Sequence, residues 1–128
     1  MSMKTSYFYK IDRIIKDDKD AINPSQCISI ARSMPQGTNC KRQCSLLAPS
    51  QQLLNEWKKG HLTWEAYESA YIDEIAYLSP KDVYDSLITA TAPLEPILLC
   101  WEGPSKPCHR HTLAKWLKQA LNIRINEL

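Results

Sequence analysis

Residues 98–117 read LLCWEGPSKPCHRHTLAKWL, and this stretch decides the fold. The apolar run Ile97–Trp101 is bounded by turn-forming residues, which predicts a strand buried on both faces. A proline-flanked loop, Glu102–Pro107, follows this strand. Apolar residues then recur at helical spacing. The stretch therefore predicts a central strand, a tight loop and an amphipathic helix that opens at Cys108-His109-Arg110-His111.

Further strands are predicted on both sides of this segment. Tyr7–Ile11 is rich in residues that favour strands, and Cys27–Ala31 is a short apolar run between turn signals. The connection Ser33–Pro49 has no periodicity and many turn formers, which predicts a long irregular segment. In the tail, Ile123 and Ile125 predict a short edge strand.

Three helices are predicted between the irregular segment and the central strand. Ser50, Thr63 and Ser79 each precede an apolar pattern of helical period and are typical N-cap residues. An aromatic and aliphatic stripe follows Thr63 and predicts a core face rather than a platform for stacking bases; it consists of Trp64, Tyr67, Tyr71, Ile75 and Leu78.

Strands separated by helices predict an α/β fold. We expect a single small three-layer, Rossmann-like domain over residues 1–128, with a mostly parallel sheet of three to four strands flanked by helices. Right-handed crossovers bring the loops after Ala31 and Trp101 to the carboxyl edge of the sheet, which is where open α/β sheets bind ligands.

The composition excludes several classes of protein. The 128 residues are 44% hydrophobic with a net charge of +2, so the chain is neither disordered nor strongly basic. No apolar run approaches the roughly 20 residues of a membrane span, and no secretory leader is evident. The odd number of cysteines predicts a reducing cytoplasm, with thiols that are free, buried or ligand-bound rather than a disulfide framework.

The first turn of the last predicted helix concentrates the candidate chemistry. Unpaired N–H groups and the helix dipole attract anions there and favour a thiolate. A cation at that position is unfavourable unless a negative group lies nearby. Arg32 is expected at the same edge of the sheet as Arg110, and two arginines together can bind a phosphate or carboxylate. We therefore predict catalytic roles for Cys108, His109 and Glu102, with His109 or Glu102 moving protons. Ligand-binding roles are predicted for the four residues Arg32, Cys100, Arg110 and His111.

Structural roles are the alternative for the same residues. His109 would then cap the helix, both cysteines would be buried hydrophobes, and Arg110 would pair with Glu102. Adjacent side chains on a helix diverge, so Cys108 is expected to face His111 better than His109.

A zinc site is a second alternative. It would use Cys40 and Cys44 with Cys108 and His109 or His111. Lys41 and Arg42 lie between the two loop thiols and would repel a cation, so we predict no metal. No Walker loop or glycine-rich dinucleotide turn is present in the sequence, and no cofactor is predicted.

The sequence resembles the domain-of-unknown-function 488 family, in its short single-domain form. The resemblance rests on Thr5-Ser6-Tyr7-Phe8, Ile28-Ser29-Ile30-Ala31-Arg32, Leu47-Ala48-Pro49-Ser50 and Thr63-Trp64-Glu65, and on the signature Leu98-Leu99-Cys100-Trp101-Glu102 with Cys108-His109-Arg110-His111. Trp101 departs from the family pattern. The resemblance implies a compact α/β domain of prokaryotic or phage type, and it implies importance for the signature residues without naming a reaction.

These observations lead to two hypotheses about function. The first is a pocket for a small anionic ligand, phosphate-bearing or nucleotide-like, in which Cys108 is a reactive thiol. The second is a non-catalytic module that binds nucleic acid or a protein, in which the signature residues hold the loop together. Neither hypothesis involves a membrane, and the oligomeric state is left open.

Overall fold

The computed structural model describes residues 2–103 and 105–128. Pro104, in the predicted tight loop, and Met1 lie outside the described residues. Within them the chain forms five strands and five helices in the order β1 (Ser2–Tyr7), α1 (Phe8–Asp17), β2 (Cys27–Ser29), β3 (Arg42–Gln43), α2 (Gln51–Lys58), α3 (Trp64–Ile75), α4 (Pro80–Thr91), β4 (Ile97–Cys100), α5 (His109–Leu121) and β5 (Arg124–Glu127).

All five strands form one parallel sheet in the order β3-β2-β4-β1-β5. The α/β Rossmann-like fold is therefore confirmed, with β4 at the centre and β5 at one edge as predicted. The sheet has one strand more than the three to four expected. Short β3 lies inside the segment predicted to be irregular, and two residues carry too little pattern to be recognised in a sequence.

Helices cover both faces of the sheet and make three layers. Leu98 of β4 packs with residues of α2, α3, α4 and α5, whereas its neighbours Ile97 and Leu99 pack with residues of α1. This alternation explains why the run Ile97–Cys100 is apolar at every position, since a strand covered on both faces has no solvent side.

The predicted strand Tyr7–Ile11 is wrong. Strand β1 ends at Tyr7, and α1 begins at Phe8 without an intervening loop. The buried residues of this helix are Phe8, Ile11 and Ile15, whose spacing fits a helical face. The β-forming character of individual residues hid this period, because tertiary packing overrides local propensity.

The three predicted N-caps are confirmed. The hydroxyls of Ser50, Thr63 and Ser79 accept hydrogen bonds from the backbone N–H groups three residues later. These helices place their apolar sides, including Tyr67 and Tyr71, in one hydrophobic cluster. The interpretation of the aromatic stripe as core is therefore confirmed.

The connections create a crevice at the carboxyl edge of the sheet. Neighbouring β4 and β1 are followed by helices that pack on opposite faces, so their carboxyl ends form a topological switch point. Strands β2 and β4 are paired in parallel, which brings the loops after Ala31 and Trp101 together as predicted. None of the described helices has the length and apolar character needed to span a bilayer.

Candidate functional site

A cavity of about 330 Å³ opens at this carboxyl edge. Its walls come from the segments after β2 and β4, from α2 and α3, and from the start of α5. The lining residues are Ala31, Arg32, Ser33, Pro49, Leu54, Trp57, Lys58, Tyr67, Cys100, Trp101, Glu102, Pro107, Cys108 and His109. Five of the seven residues predicted for the site are among them.

Cys100 and Cys108 form a disulfide across the loop that joins β4 to α5. Thiols that are free, buried or ligand-bound were expected instead of disulfides, and this expectation is wrong for this pair because its buried sulfurs are joined. Cys27, Cys40 and Cys44 are free, as expected. Burial raises the pKa of each of these three thiols, and that of Cys27 rises to about 12. The two signature cysteines thus differ chemically from the remaining three.

His109 is held in one orientation at the floor of the cavity. Its Nε2 lies 2.7 Å from the carbonyl oxygen of Ile30. Because that oxygen can only accept, Nε2 carries the proton and Nδ1 has a free lone pair. The edge of Tyr71 packs against the ring. Burial lowers the pKa of His109 to about 4, so the ring is neutral near pH 7.

The free Nδ1 of His109 lies 3.8 Å from Cys108 Sγ. The expectation that Cys108 would face His111 instead is wrong. Cys108 precedes the helix and has extended backbone angles, so the divergence of adjacent helical side chains does not apply to it. His111 lies away from the cavity, in a shallow depression with Glu127 and two lysines. Burial also lowers the pKa of His111, and the charge of Arg110 adds to this effect.

Arg32 places its guanidinium on the cavity wall. Its Nε and Nη2 both donate to the carbonyl oxygen of Pro49, at 3.1 and 3.0 Å, which fixes the plane of the group. Lys58 of α2 lines the same cavity. Among the ion pairs formed by residues 2–103 and 105–128, none includes Arg32 or Lys58. The cavity therefore has two cationic side chains without carboxylate partners in that part of the chain.

Arg110 does not line the cavity with Arg32. Its side chain is fully buried, and Nε and Nη2 donate to both carboxylate oxygens of Glu127 in β5. Nη1 donates to the carbonyl oxygen of Glu102 at 2.7 Å and to Cys100 Sγ at 2.9 Å. The expected convergence of two arginines on one ligand is therefore not found, because Glu127 supplies the negative partner that a cation at this helix start requires.

Cys100, Glu102 and Cys108 form the one cluster of three potential metal ligands in the described part of the chain. One ligand atom from each lies within 4.8 Å of the others. The predicted zinc partners Cys40 and Cys44 do not belong to it. Two sulfurs joined in a disulfide cannot both act as thiolate ligands, and Arg110 places a positive charge beside the cluster. These features disfavour a cation and leave Glu102 as a carboxylate close to two sulfurs.

Four further residues line the cavity without having been predicted from the sequence: Pro49, Trp57, Lys58 and Tyr67. Tyr67 was predicted only as a core residue, and it does pack in the core with Trp57 against it. Their second role is set by the approach of α2 and α3 to the carboxyl edge, which no local pattern reveals. Trp101 reaches the opposite wall, where its indole N–H donates to the carbonyl oxygen of Ser33.

Residues 11–121 match a protein family described as the active DUF488-N3 subclade, DUF488-N3a. The chain belongs to the DUF488 family. The match covers most of the chain and includes every residue of the candidate site, so the resemblance seen in the sequence is confirmed. No curated protein and no solved structure matches this DUF488 member.

Proposed function

We propose that the cavity binds a small anionic ligand, phosphate-bearing or nucleotide-like, and presents Cys108 to it as a reactive thiol. The observation that carries the proposal is Arg32, whose guanidinium is fixed at the wall and has no carboxylate partner among the described residues. A planar guanidinium with N–H groups to spare suits a phosphate or carboxylate group.

The position of Lys58 supports the same ligand class. It adds a second cation to the wall, so an anion at the cavity mouth meets two positive charges. Within residues 2–103 and 105–128, Glu102 is the only carboxylate residue that lines the cavity. Its carboxylate lies beside the two sulfurs, where it can accept the proton of a thiol. The phosphate would bind at Arg32 and Lys58 instead, away from this negative charge.

Aromatic walls support a ligand that has a flat ring. Trp57, Tyr67 and Trp101 line the cavity together with two prolines. Trp101 is half exposed, although a large apolar side chain gains by burial. A base or similar heterocycle would cover the exposed part of Trp101 by stacking, which is why a nucleotide-like ligand fits better than inorganic phosphate alone.

Cys108 would supply the chemistry. In its reduced state the thiol stands before the first turn of α5, where unpaired N–H groups favour a thiolate. Nδ1 of His109 accepts a hydrogen bond from the thiol and orients it. The low pKa of His109 makes it a poor store for the proton, and Glu102, whose carboxylate lies within 4.8 Å of both sulfurs, is a second acceptor within reach.

Arg110 has a positioning role in this proposal, whereas His111 lies outside the cavity. Arg110 holds Cys100, the Glu102 backbone and β5 in one network, so it shapes the floor without touching the ligand. The same contacts, with the bond from His109 to Ile30, favour the second candidate, a non-catalytic interaction module whose signature residues are structural. The two candidates differ in whether the cavity binds a small molecule.

Thermal unfolding of the reduced full chain, with and without nucleoside monophosphates and inorganic phosphate, tests the proposal. A ligand at 100 times its Kd stabilises by about 2.7 kcal/mol, which is roughly 10 °C for a domain of this size. We expect this shift with a nucleotide, and its loss in Arg32→Gln. Arg13→Gln, which changes an exposed arginine of α1 outside the cavity, is the matched control and should bind like the wild type.

Alkylation by iodoacetamide tests the thiol. In the reduced folded chain, Cys108 lines the cavity and should react well before Cys27, which is buried outside it and whose pKa burial raises to about 12. If no compound shifts the reduced wild type, or if Arg32→Gln is shifted as strongly as the wild type, the anion pocket is refuted. The interaction module would then be the better account.

A further inference from the structure

The two sulfurs at the floor of the cavity differ from the other thiols in three respects. They are joined to each other, they border a cavity, and one of them accepts a hydrogen bond from a fully buried arginine. Cys27 and Cys40 are buried away from this cavity, and Cys44 belongs to a different depression. A purely structural crosslink needs neither the cavity nor the arginine.

We propose that Cys100 and Cys108 are a reversible dithiol–disulfide couple, oxidised by a small peroxide that enters the cavity and reduced by a small thiol. The proposal deepens the proposed function by naming how its thiol is regulated, and it rests on that function only for the consequence to Cys108. Oxidation would bind the sulfur of Cys108 covalently and block it from the ligand.

Arg110 distinguishes the two cysteines. Its Nη1 donates to Cys100 Sγ at 2.9 Å, so a thiolate at Cys100 has a charged hydrogen-bond donor beside it. Cys108 stands next to the neutral His109 and before the first turn of α5. This difference suits a pair in which Cys108 meets the incoming oxidant and Cys100, held as a thiolate, resolves the product.

The oxidation balances in two steps. The Cys108 thiolate attacks one peroxide oxygen, the O–O bond breaks, and hydroxide leaves and is protonated to water, so that Cys108 becomes a sulfenic acid. The Cys100 thiolate then attacks Cys108 Sγ, an S–S bond forms, the S–O bond breaks, and the second hydroxide leaves as water. The two thiols supply both protons and both electrons, and hydrogen peroxide is reduced to water. Two equivalents of an external thiol reverse the oxidation by exchange.

Burial limits the size of the reagents. Cys100 is 0% exposed and Cys108 is 3% exposed, so neither sulfur can be approached directly by the surface of another protein. Both cysteines line the cavity of about 330 Å³, and we expect molecules the size of hydrogen peroxide or dithiothreitol to reach them from it. The expected oxidants and reductants are therefore small molecules.

Thiol counting after peroxide treatment tests the couple. The full chain is reduced, desalted and treated with hydrogen peroxide. It is then denatured in iodoacetamide, which labels the remaining thiols, and its mass is measured by mass spectrometry. Of the five cysteines, we expect all to be labelled before treatment and three afterwards, with a peptide joining Cys100 to Cys108. Dithiothreitol added to the folded oxidised chain should restore five labels. Cys44→Ser is the matched control and should lose two labels in the same way.

Two variants keep the test decisive. Cys100→Ser removes the resolving thiol, so peroxide should leave a sulfenic acid on Cys108 that reacts with dimedone. Cys108→Ser should form neither this adduct nor the crosslink. Five labels in the treated wild type, a crosslink between other cysteines, or a crosslink that dithiothreitol cannot reduce in the folded chain would overturn the couple.

Ligand shifts measured on reduced protein separate this proposal from the previous one. A reduced chain that binds a nucleotide but does not crosslink refutes the couple alone. A chain that crosslinks reversibly but binds no ligand refutes the anion pocket alone.

Discussion

Replacing Glu127 by glutamine should destabilise the chain strongly, because it removes the charge that faces Arg110. Arg110 is 0% exposed, and its Nε and Nη2 donate to the two carboxylate oxygens of Glu127 at 3.2 and 2.9 Å. Thr5 also donates to this carboxylate. Glutamine has nearly the same shape but one acceptor oxygen and no charge, so the arginine keeps its place and loses its counter-ion.

The expected magnitude follows from the burial of the pair. Breaking a buried ion pair from one side costs about 3–5 kcal/mol. The Glu127 side chain is 31% exposed, so water offsets part of the loss and we expect about 3 kcal/mol. An unfolding entropy of about 2.1 cal/mol/K per residue gives about 0.27 kcal/mol/K for 128 residues. The melting temperature should therefore fall by roughly 11 °C.

The pH dependence provides an internal check. Burial alone would raise the pKa of Glu127, but hydrogen bonds from Arg110 and Thr5 and the charge of Arg110 outweigh it, so the pKa lies below the ordinary value. A lowered pKa in the folded state gives stability that is complete above the unfolded value of about 4.3 and is lost as the pH falls through the folded value. The difference in stability between the wild type and Glu127→Gln should therefore disappear as the pH falls into the acid range.

Differential scanning calorimetry at pH 7 and in acid measures both effects. Asp85→Asn, which breaks the exposed pair of Asp85 with Lys81 on α4, is the control and should melt with the wild type within error. A shift below about 3 °C for Glu127→Gln at pH 7, or a gap that persists unchanged in strong acid, would refute the assignment of Arg110 to this pair.

His109 and Ser50 give two further predictions. Burial lowers the pKa of His109 from 6.5 to about 4, so the unfolded chain binds its proton first and stability should fall as the pH decreases from 6.5 to 4. Urea unfolding should show this fall in the wild type and a smaller one in His109→Gln; equal falls would contradict it. Ser50→Ala removes the cap on the N–H of Leu53 and a hydroxyl contact with Glu74, at a cost of about 1–2 kcal/mol in urea unfolding. Ser69→Ala, at an exposed position of α3, should cost much less, and equal costs would contradict the cap.

The parts of the fold that sequence reasoning predicted are those in which one local cause dominates. The apolar run Ile97–Cys100 has no polar position, and only a strand covered on both faces explains that pattern. Ser50, Thr63 and Ser79 act on their own helices within three residues. The predicted strand Tyr7–Ile11 was wrong because residues that favour strands are also spaced there as on one face of a helix. Only packing against the sheet decides between strand and helix.

The location of the candidate site could be predicted from the sequence, but most of the contacts within it could not. Arg32 and Cys108 come together because parallel strands bring the loops after β2 and β4 to one edge, and that rule is general. The disulfide and the wall residue Trp57 depend on how closely α5 and α2 approach that edge. Those distances result from the packing of many side chains and have no signal in any single stretch of sequence.

Arg110 shows how a correct local rule can lead to the wrong partner. A cation in the first turn of a helix is unfavourable without a negative charge nearby, and for this sequence the rule predicted an external ligand. The chain itself supplies the charge from Glu127, which lies in the edge strand that follows the same helix. Arg32 lies outside any helix, and its guanidinium is held by the carbonyl oxygen of Pro49, next to the N-cap Ser50 of α2, rather than by a carboxylate. The cations that favour an anion in the cavity are therefore Arg32 and Lys58. Arg110 contributes to the site by holding Cys100 and the floor of the cavity in place.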